Sequence, residues 1–221
     1  MRGAIFDVDG TLVDSVDLHA RAWAEAFAHF GHDVPFDKVR MQIGKGGDQL
    51  LPVFLSKQEL KEQGSAIEQW RGVHFKKHYL ARVTAFSKVR ELFSRLIQDG
   101  WKLALASSAK EDELKVYKQI ARIDDLLDTE TSSDDAEKSK PHPDIFQAAL
   151  KRLGAAPSEC VVIGDSPYDA EAATKAGITA VGFLSGGFPK KSLTAAGFRT
   201  LYKGPAALLA AYEKSLFNQK R

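Results

Sequence analysis

Two aspartates, separated by a single residue, follow the first apolar segment of the chain. The segment Gly3-Ala4-Ile5-Phe6 leads into Asp7-Val8-Asp9-Gly10-Thr11. A short apolar run that ends in a glycine-containing turn predicts a buried strand and then a bend. Both carboxylates would project from the carboxyl end of that strand, which is where ligands bind in open parallel α/β sheets. Paired carboxylates at such an edge are suited to phosphoryl chemistry.

Further polar side chains stand at the ends of later predicted strands and before a later helix. They are Ser107, Ser108, Lys140, Asp165 and Asp169. If the sheet is parallel, all of them lie along the same edge as the first two aspartates. Carboxylates packed there repel one another and imply a counter-ion, and an all-oxygen ligand set selects a hard cation such as Mg²⁺. A lysine and two hydroxyls beside them suit the oxygens of a phosphate.

The elements that would position these residues alternate between strand and helix. Strands are predicted at residues 3–7, 102–106, 161–164 and 178–183, with a short one near 126–127. Helices are predicted at residues 87–99, from about 111, at 143–153 and at 169–176. This alternation predicts right-handed crossovers and a doubly wound, Rossmann-like α/β fold, with a parallel sheet covered on both faces.

The stretch between the first two core strands is mainly helical, and we interpret it as an insertion. Its clearest helix ends at Gly31. Residues 57–82 also favour helix, and Gly64 and Gly72 are expected to split this stretch because each glycine weakens a helix by about 1 kcal/mol relative to alanine. The predicted boundaries are a catalytic core of residues 1–14 and 86–221 and a helical cap of residues 15–85.

Composition excludes several classes of protein. The chain has 221 residues and is 44% hydrophobic, which suffices for one sizeable core, or one core and a small second unit. Its formal charge is only +2 and no basic stripe is interleaved with aromatic residues, so neither nucleic acid nor a membrane is the expected partner. No apolar run is long enough to cross a bilayer and no signal peptide precedes the first strand, so a cytoplasmic protein is expected.

The motifs together resemble those of the haloacid dehalogenase superfamily. Asp-x-Asp-Gly-Thr, a strand-terminal Ser, Lys-Pro-x-Pro-Asp and Gly-Asp-Ser-x-x-Asp occur in this order and span nearly the whole chain. The resemblance is to the phosphatase branch with a helical cap after the first core strand, similar to phosphoglycolate phosphatases and β-phosphoglucomutases. The acidic residue at Asp9 separates the chain from dehalogenases and phosphonatases, and its first motif differs from the Asp-Lys-Thr-Gly-Thr of transport ATPases.

The resemblance implies a role for each matching residue. Asp7 is the expected nucleophile toward phosphorus, and Asp9 is the expected general acid and base. Ser107 and Lys140 are expected to hold the phosphoryl oxygens, and we assign the neighbouring hydroxyl of Ser108 to the same group. The residues expected around Mg²⁺ are Asp7, Asp9, Asp165 and Asp169, the last of them either directly or through water.

The chemistry agrees with these roles. A carboxylate attacks a dianionic phosphate poorly unless charge is neutralised, so Mg²⁺ and Lys140 would screen the approach. The product of the attack would be an aspartyl phosphate. Asp9 would need a raised pKa to donate a proton near neutral pH, and apolar enclosure and neighbouring carboxylates can supply that rise.

Several of these residues also have a plainer explanation. Taken alone, Lys140 is better explained as a solvated residue before a helix. For Asp169 the alternative is an acidic residue in the first turn of its helix, where a negative charge is stabilising. For the two serines the alternative is that they only shape a loop or cap a helix. In the predicted cap, His19 and Lys45 are candidate substrate contacts. Lys45 lies in Gly44-Lys45-Gly46-Gly47, which lacks the Ser or Thr and the preceding strand of a nucleotide P-loop.

The sequence thus predicts a Mg²⁺-dependent phosphatase that acts on a small phosphorylated metabolite through an aspartyl phosphate at Asp7. A sugar phosphomutase is the alternative, although the Arg that follows a cap glycine in β-phosphoglucomutases has no counterpart in residues 44–48. A regulatory protein that binds metal without turnover is a further alternative. The sequence specifies neither the substrate nor the oligomeric state.

Overall fold

The computed structural model describes residues 2–218 and has a central sheet of six strands with helices on both faces. The strands are β1 Arg2–Phe6, β2 Val13–Asp14, β3 Thr84–Ala85, β4 Trp101–Ala106, β5 Thr129–Thr131, β6 Cys160–Gly164, β7 Thr179–Phe183 and β8 Thr200–Tyr202. The helices are α1 Val16–His29, α2 Phe36–Arg40, α3 Gly47–Phe54, α4 Lys57–His78, α5 Val89–Gln98, α6 Glu111–Ala121, α7 Asp144–Leu153, α8 Pro167–Lys175, α9 Lys190–Ala196 and α10 Pro205–Ala210. No helix within residues 2–218 is both long and apolar enough to cross a bilayer.

The six-stranded sheet is parallel throughout, in the order β5-β4-β1-β6-β7-β8. β1 lies near its centre, where Phe6 pairs with Leu105 of β4 and with Ile163 of β6. These three strands therefore end together at one edge, next to the point where the strand order reverses and where ligands bind in open α/β sheets. The predicted doubly wound α/β class is confirmed.

Apolar side chains fill both faces of the sheet. On one face Phe6 packs against Phe93 of α5, with ring centroids 4.6 Å apart. On the other face Ile5 and Val162 belong to the same cluster as Phe146 of α7. Strands that are buried on both faces consist of nearly continuous apolar residues, which is why β1, β4, β6 and β7 can be predicted.

Helices α1 to α4, which we name the inserted helices, lie between β2 and β3 in the chain and have a hydrophobic cluster of their own. Its buried side chains include Trp23, Phe27, Leu50 and Ile67. β2 and β3 pair antiparallel with Val13 opposite Ala85, so the two chain segments that lead to the inserted helices run side by side. The predicted cap boundaries, residues 15–85, stay a prediction.

Helix α4 differs from the prediction because it is a single helix of 22 residues that runs through both glycines. A Cβ at Gly64 would lie 3.0 Å from Leu60 Cδ1, so this glycine lies at a close contact inside the helix rather than at its end. Burial of Ile67 and Phe75 on either side of Gly72 offsets the cost of about 1 kcal/mol for each glycine.

Two further differences concern short elements. The strand predicted near residues 126–127 lies instead at β5, because Asp124–Leu126 form a 3₁₀ turn and the Asp128 N–H donates to Leu103 O at 2.9 Å. The strands β2, β3 and β8 are not predicted, because segments of two or three residues carry no periodic pattern.

Candidate active site

The loop after β1 carries the first two candidate residues and turns sharply at Gly10. The Asp7 N–H donates to Ile163 O at 2.8 Å, so Asp7 still follows the sheet. Gly10 has a φ of +78°, in the left-handed region that favours glycine. It also lies so close to the Asp165 carboxylate that a Cβ would overlap it. Glycine is therefore needed both for the turn and for the approach of the two acidic loops.

Asp7, Asp165 and Asp169 form a buried cluster. One carboxylate oxygen of each lies within 4.8 Å of the others, and none of the three residues is more than 5% exposed. Thr11 Oγ1 donates to Asp165 Oδ1 at 2.8 Å and lies 3.2 Å from Asp7 Oδ2. The Ser166 N–H donates to Asp169 Oδ2 at 3.0 Å. The strand end and the first turn of α8 thus hold the later acids beside Asp7.

Lys140 supplies the counter-charge to this cluster. Its Nζ lies 2.5 Å from Asp7 Oδ1 and 2.8 Å from Asp169 Oδ1, and it donates to Ala106 O at 3.2 Å. The residue is 0% exposed, so the explanation of Lys140 as a solvated residue does not hold. A lysine is buried in charged form only where anions and hydrogen-bond acceptors surround it.

The electrostatics of the cluster suit a cation. Burial raises the pKa of Asp7 to about 7, with Lys140 opposing the rise and Asp169 and Asp9 adding to it. Burial and the charges of Asp7 and Asp169 raise the pKa of Asp165 well above its ordinary value. Burial lowers the pKa of Lys140, but Asp169 and Asp7 outweigh burial and raise it. Three carboxylates face one ammonium, so a divalent cation fits the remaining charge, and all-oxygen donors suit a hard one.

Asp9 belongs to a separate group of polar contacts. Its Oδ1 accepts a hydrogen bond from Ser15 Oγ at 2.5 Å and lies 3.0 Å from His19 Nε2. The same nitrogen lies 3.0 Å from the Tyr117 hydroxyl, and the His19 ring stacks on Phe75 with centroids 3.9 Å apart. The inserted helices therefore reach Asp9 through His19, while α6 supplies Tyr117.

The pKa of Asp9 lies below its ordinary value, which differs from the rise that the sequence predicts. Burial acts to raise this pKa, but it is outweighed by the charge and hydrogen bond of His19, the hydrogen bond of Ser15 and the charge of Arg71. The sequence does not reveal this balance because His19 and Arg71 come from separate inserted helices. Asp9 is therefore a carboxylate in the substrate-free protein.

A small cavity of about 40 Å³ opens between the sheet edge and the inserted helices. The candidate residues that line it are Asp7, Asp9, His19, Lys45 and Ser108. Lys45 Nζ donates to Gln42 Oε1 at 2.7 Å and lies 4.7 Å from the centre of the Tyr168 ring. Burial lowers the pKa of Lys45. Both candidate residues of the predicted cap thus face the space in front of the first two aspartates.

The two serines after β4 differ in their environment. Ser107 is fully buried, and its Oγ accepts a hydrogen bond from the Ala109 N–H at 3.1 Å. Ser108 is partly exposed and lines the cavity. In this arrangement the Ser107 hydroxyl shapes the turn before α6 and Ser108 faces the cavity. The phosphate-binding role of both serines stays a prediction.

Three polar residues at the site are not among the sequence candidates. Arg71 of α4 and Glu113 of α6 both line the cavity, and Tyr117 of α6 contacts His19. Glu113 and Tyr117 are four residues apart and both buried, so they lie on one face of α6. Two polar residues on the buried face of one helix are the feature of the sequence that could have identified them as site residues. No such feature marks Arg71, because α4 carries many charged residues.

Comparison with known proteins supports the fold and identifies the family. The profile of the family described as haloacid dehalogenase-like hydrolase matches residues 4–183. The crystal structure of a hydrolase from Pseudomonas syringae is similar to this chain, with a TM-score of 0.89 and 29% identity, over 97% of this chain and 99% of that chain.

Two curated relatives differ greatly in length. The phosphoglycolate phosphatase of Aquifex aeolicus is 30% identical over 182 residues, which cover 80% of this chain and 82% of that protein. The protein SUPPRESSOR OF QUENCHING 1, chloroplastic, of Arabidopsis thaliana is 33% identical over 181 residues, which cover 80% of this chain but only 17% of that protein. Because the family profile covers most of its length, this chain belongs to the haloacid dehalogenase-like hydrolases.

Proposed function

We propose that this chain hydrolyses small phosphomonoesters through an aspartyl phosphate on Asp7. The placement of Asp7 carries the proposal. It is a buried carboxylate at the end of a central strand, 2.5 Å from Lys140, beside two further aspartates and facing a cavity. The relative named as a phosphoglycolate phosphatase supports the same class of reaction.

The cluster of Asp7, Asp165 and Asp169 would hold the divalent cation, for which we propose Mg²⁺. When bound, the ion would neutralise charge on the phosphoryl group and on the attacking carboxylate. Asp9 stands apart from these three residues because its carboxylate is bonded to Ser15 and lies against His19. We therefore assign proton transfer to Asp9, and its contact with the metal stays a prediction.

In the first step, an oxygen of Asp7 forms a bond to phosphorus while the bond from phosphorus to the leaving oxygen breaks. Asp9 gives the leaving oxygen its proton. A phosphate dianion beside Asp9 raises the pKa of that carboxyl, because like charges disfavour ionisation, and so favours the protonated form that this step needs. Lys140 remains charged beside Asp7 and stabilises the transferring phosphoryl group.

In the second step, water attacks phosphorus and the bond between phosphorus and Asp7 breaks. Asp9, now a carboxylate, accepts the proton of the attacking water. The low pKa of Asp9 in the absence of a phosphate dianion favours this form, and Ser15 and His19 hold its orientation. The inserted helices, which line the cavity beside Asp9, would limit the entry of bulk water.

Replacement of the nucleophile tests the proposal. We expect Asp7→Asn to lower phosphate release from an aryl phosphate in Mg²⁺ by at least about 10³-fold, because an amide cannot form the acyl phosphate. Asp37→Asn, at an exposed position on α2, is the matched control and should keep its activity. Full activity in Asp7→Asn would contradict the proposal. A wild-type protein that binds Mg²⁺ but hydrolyses no phosphomonoester would instead be the regulatory protein.

A sugar phosphomutase is the second candidate function, and the two cations of the cavity favour it. Arg71 of α4 and Lys45 of the loop before α3 line the cavity on the side where a second phosphate would have to bind. Glu113, 3.9 Å from Arg71, counts against a second phosphate because it would repel one. Glucose 1-phosphate with a catalytic bisphosphate separates the two functions: isomerisation faster than phosphate release would show a mutase.

A further inference from the structure

Glu113 is a buried carboxylate at the edge of the cavity. It lies in the first turn of α6 and is only 3% exposed. Within residues 2–218 its carboxylate accepts no hydrogen bond, and its ion-pair partner is Arg71, with Nη1 3.9 Å from Oε1. Neither carboxylate oxygen is completely buried, so the carboxylate faces the cavity that it lines. A ligand in this cavity that donates a hydrogen bond would satisfy it.

Arg71 faces Glu113 from the opposite wall. Its guanidinium lies over the ring of Trp23, at 4.9 Å from the ring centre, and near that of Phe75, at 5.9 Å. Its Nε is buried and has no hydrogen-bond partner within the described residues. The two aromatic rings fix the plane of the guanidinium, so its unpartnered Nε–H has a defined direction.

The separation of the two charges determines which group fits between them. At 3.9 Å the pair is wider than a hydrogen bond, so a small polar group can bridge it. A second phosphate or a carboxylate would be attracted by Arg71 but repelled by Glu113. An ammonium would be attracted by Glu113 but repelled by Arg71. A hydroxyl donates to Glu113 and accepts from Arg71 at once, and adjacent hydroxyls can satisfy both residues.

Glu113 and Arg71 lie where the leaving group would depart from the reacting centre. Glu113 and Arg71 line the small cavity that contains Asp7 and Asp9, and they also line a neighbouring cavity of about 410 Å³. Positive and negative side chains are mixed around the larger cavity, so it has no excess of positive charge that would favour a polyanion. These side chains include Lys45, Lys76, Lys110, Asp48, Glu68 and Glu137.

We propose that Glu113 and Arg71 select the leaving group, and that the substrate is the phosphate ester of an uncharged polyhydroxylated alcohol, a sugar or polyol. The larger cavity receives the carbon chain, and Glu113 and Arg71 bind its hydroxyls. This inference rests on the proposed phosphatase function. Substrates whose leaving part carries a further negative charge, such as phosphoglycolate or pyrophosphate, are disfavoured by the Glu113 carboxylate.

The test compares kcat/KM for four compounds: an aryl phosphate, a hexose phosphate, phosphoglycolate and pyrophosphate. We expect the wild-type protein to prefer the hexose phosphate to phosphoglycolate and pyrophosphate. In Glu113→Gln the ratio of hexose phosphate to phosphoglycolate should fall by about 10- to 100-fold, mainly through KM, because a hydroxyl contact is weakened and a repulsion is removed. Glu111→Gln, at an exposed position in the same helical turn, should leave the ratio unchanged.

The outcomes separate this inference from the function on which it rests. If no compound is hydrolysed, the phosphatase function fails. If the aryl phosphate is hydrolysed but the wild type prefers phosphoglycolate or pyrophosphate, only the role of Glu113 and Arg71 is overturned. An unchanged ratio in Glu113→Gln, in a protein whose thermal melting shows that it is folded, overturns it as well. If Glu113→Gln does not fold, Arg71→Lys takes its place, and the ratio of hexose phosphate to phosphoglycolate is expected to fall in that variant too. An unchanged ratio in Arg71→Lys would then overturn the role of the pair, as would a wild-type preference for phosphoglycolate.

Discussion

At the scale of single residues, the site gathers more negative than positive charge in a buried space. The ammonium of Lys140 pairs with two of the three clustered carboxylates, and burial raises the pKa of Asp7 to about 7. This arrangement destabilises the folded state when no cation is bound, because each carboxylate loses hydration and faces like charges. The residues that would bind the metal are therefore a source of instability in its absence.

The stability of the metal-free protein is expected to depend on pH through this cluster. The pKa of Asp7 rises from 3.8 to about 7 on folding. A carboxyl group with a raised pKa in the folded state stabilises that state fully below its unfolded pKa and loses this contribution as the pH rises through the folded pKa. The free energy of unfolding should therefore decrease between about pH 4 and pH 7, by about 1.4 kcal/mol for each unit of pKa shift. Urea unfolding in EDTA at several pH values measures the decrease.

Asp165→Asn isolates the cluster from the other ionisable groups of the protein. The variant removes one like charge but keeps an oxygen that can accept the hydrogen bond from Thr11, now 2.8 Å long. The metal-free variant should be more stable than the wild type at pH 8 and should lose less stability as the pH rises. Mg²⁺ should stabilise the wild type by mass action but not the variant. Equal pH dependence in the two proteins would contradict this explanation.

At the scale of elements, the strands that lead to the site could be predicted from sequence, but the packing of helices around it could not. β1, β4 and β6 are buried on both faces, so they appear as apolar runs, and the residues that follow them fall at one edge by topology. Asp7 and Asp165 are correctly brought together by this rule. Glu113 lies on a helix that the sequence predicts. The apolar pattern of that helix does not show which residues of other elements its carboxylate faces.

The inserted helices show the same limit. His19 and Lys45 were predicted to face the site, and both line its cavity. Arg71 was not predicted because its position depends on how α4 packs on α1, over the ring of Trp23. The expected break at Gly72 also removed the helical register that would have placed Arg71 on the same face as Phe75, four residues later.

Two glycines, Gly46 directly before α3 and Gly72 inside α4, provide a matched pair of alanine substitutions. A Cβ at Gly46 would overlap Ser139, which lies outside the inserted helices, whereas a Cβ at Gly72 would meet no atom within 4 Å. We expect Gly46→Ala to push α3 away from Ser139 and to lower kcat/KM by about tenfold or more, since a displacement of about 1 Å can be that costly. Gly72→Ala should raise the free energy of unfolding by about 0.5–1 kcal/mol.

Steady-state kinetics and urea unfolding measure the two effects. Equal kinetics for Gly46→Ala and the wild type would show that contact between α3 and Ser139 does not position the site. A destabilised Gly72→Ala would show that this part of α4 is not regular helix.

At the scale of the whole molecule, the inserted helices are fastened over the sheet edge by polar contacts. The Tyr168 hydroxyl donates to Met41 O at 2.6 Å, and Arg40 Nη2 donates to Gly186 O at 3.1 Å. We propose that residues 15–85 move as a cap about the paired strands β2 and β3, and that these contacts break when substrate enters. The same motion would bring His19 to Asp9 and Arg71 to Glu113, so proton transfer and choice of leaving group would be completed by closure.

Locating the covalent intermediate is the most direct test of the role of Asp7 as nucleophile. The protein is mixed with an aryl phosphate in Mg²⁺, quenched in acid and treated with borohydride, which reduces an acyl phosphate but not a free carboxylate, and its peptides are analysed by mass spectrometry. We expect the reduced residue to be Asp7 and the labelling to disappear in Asp7→Asn. Turnover without any reduced aspartate, or reduction at another residue such as Asp165, would contradict this role of Asp7.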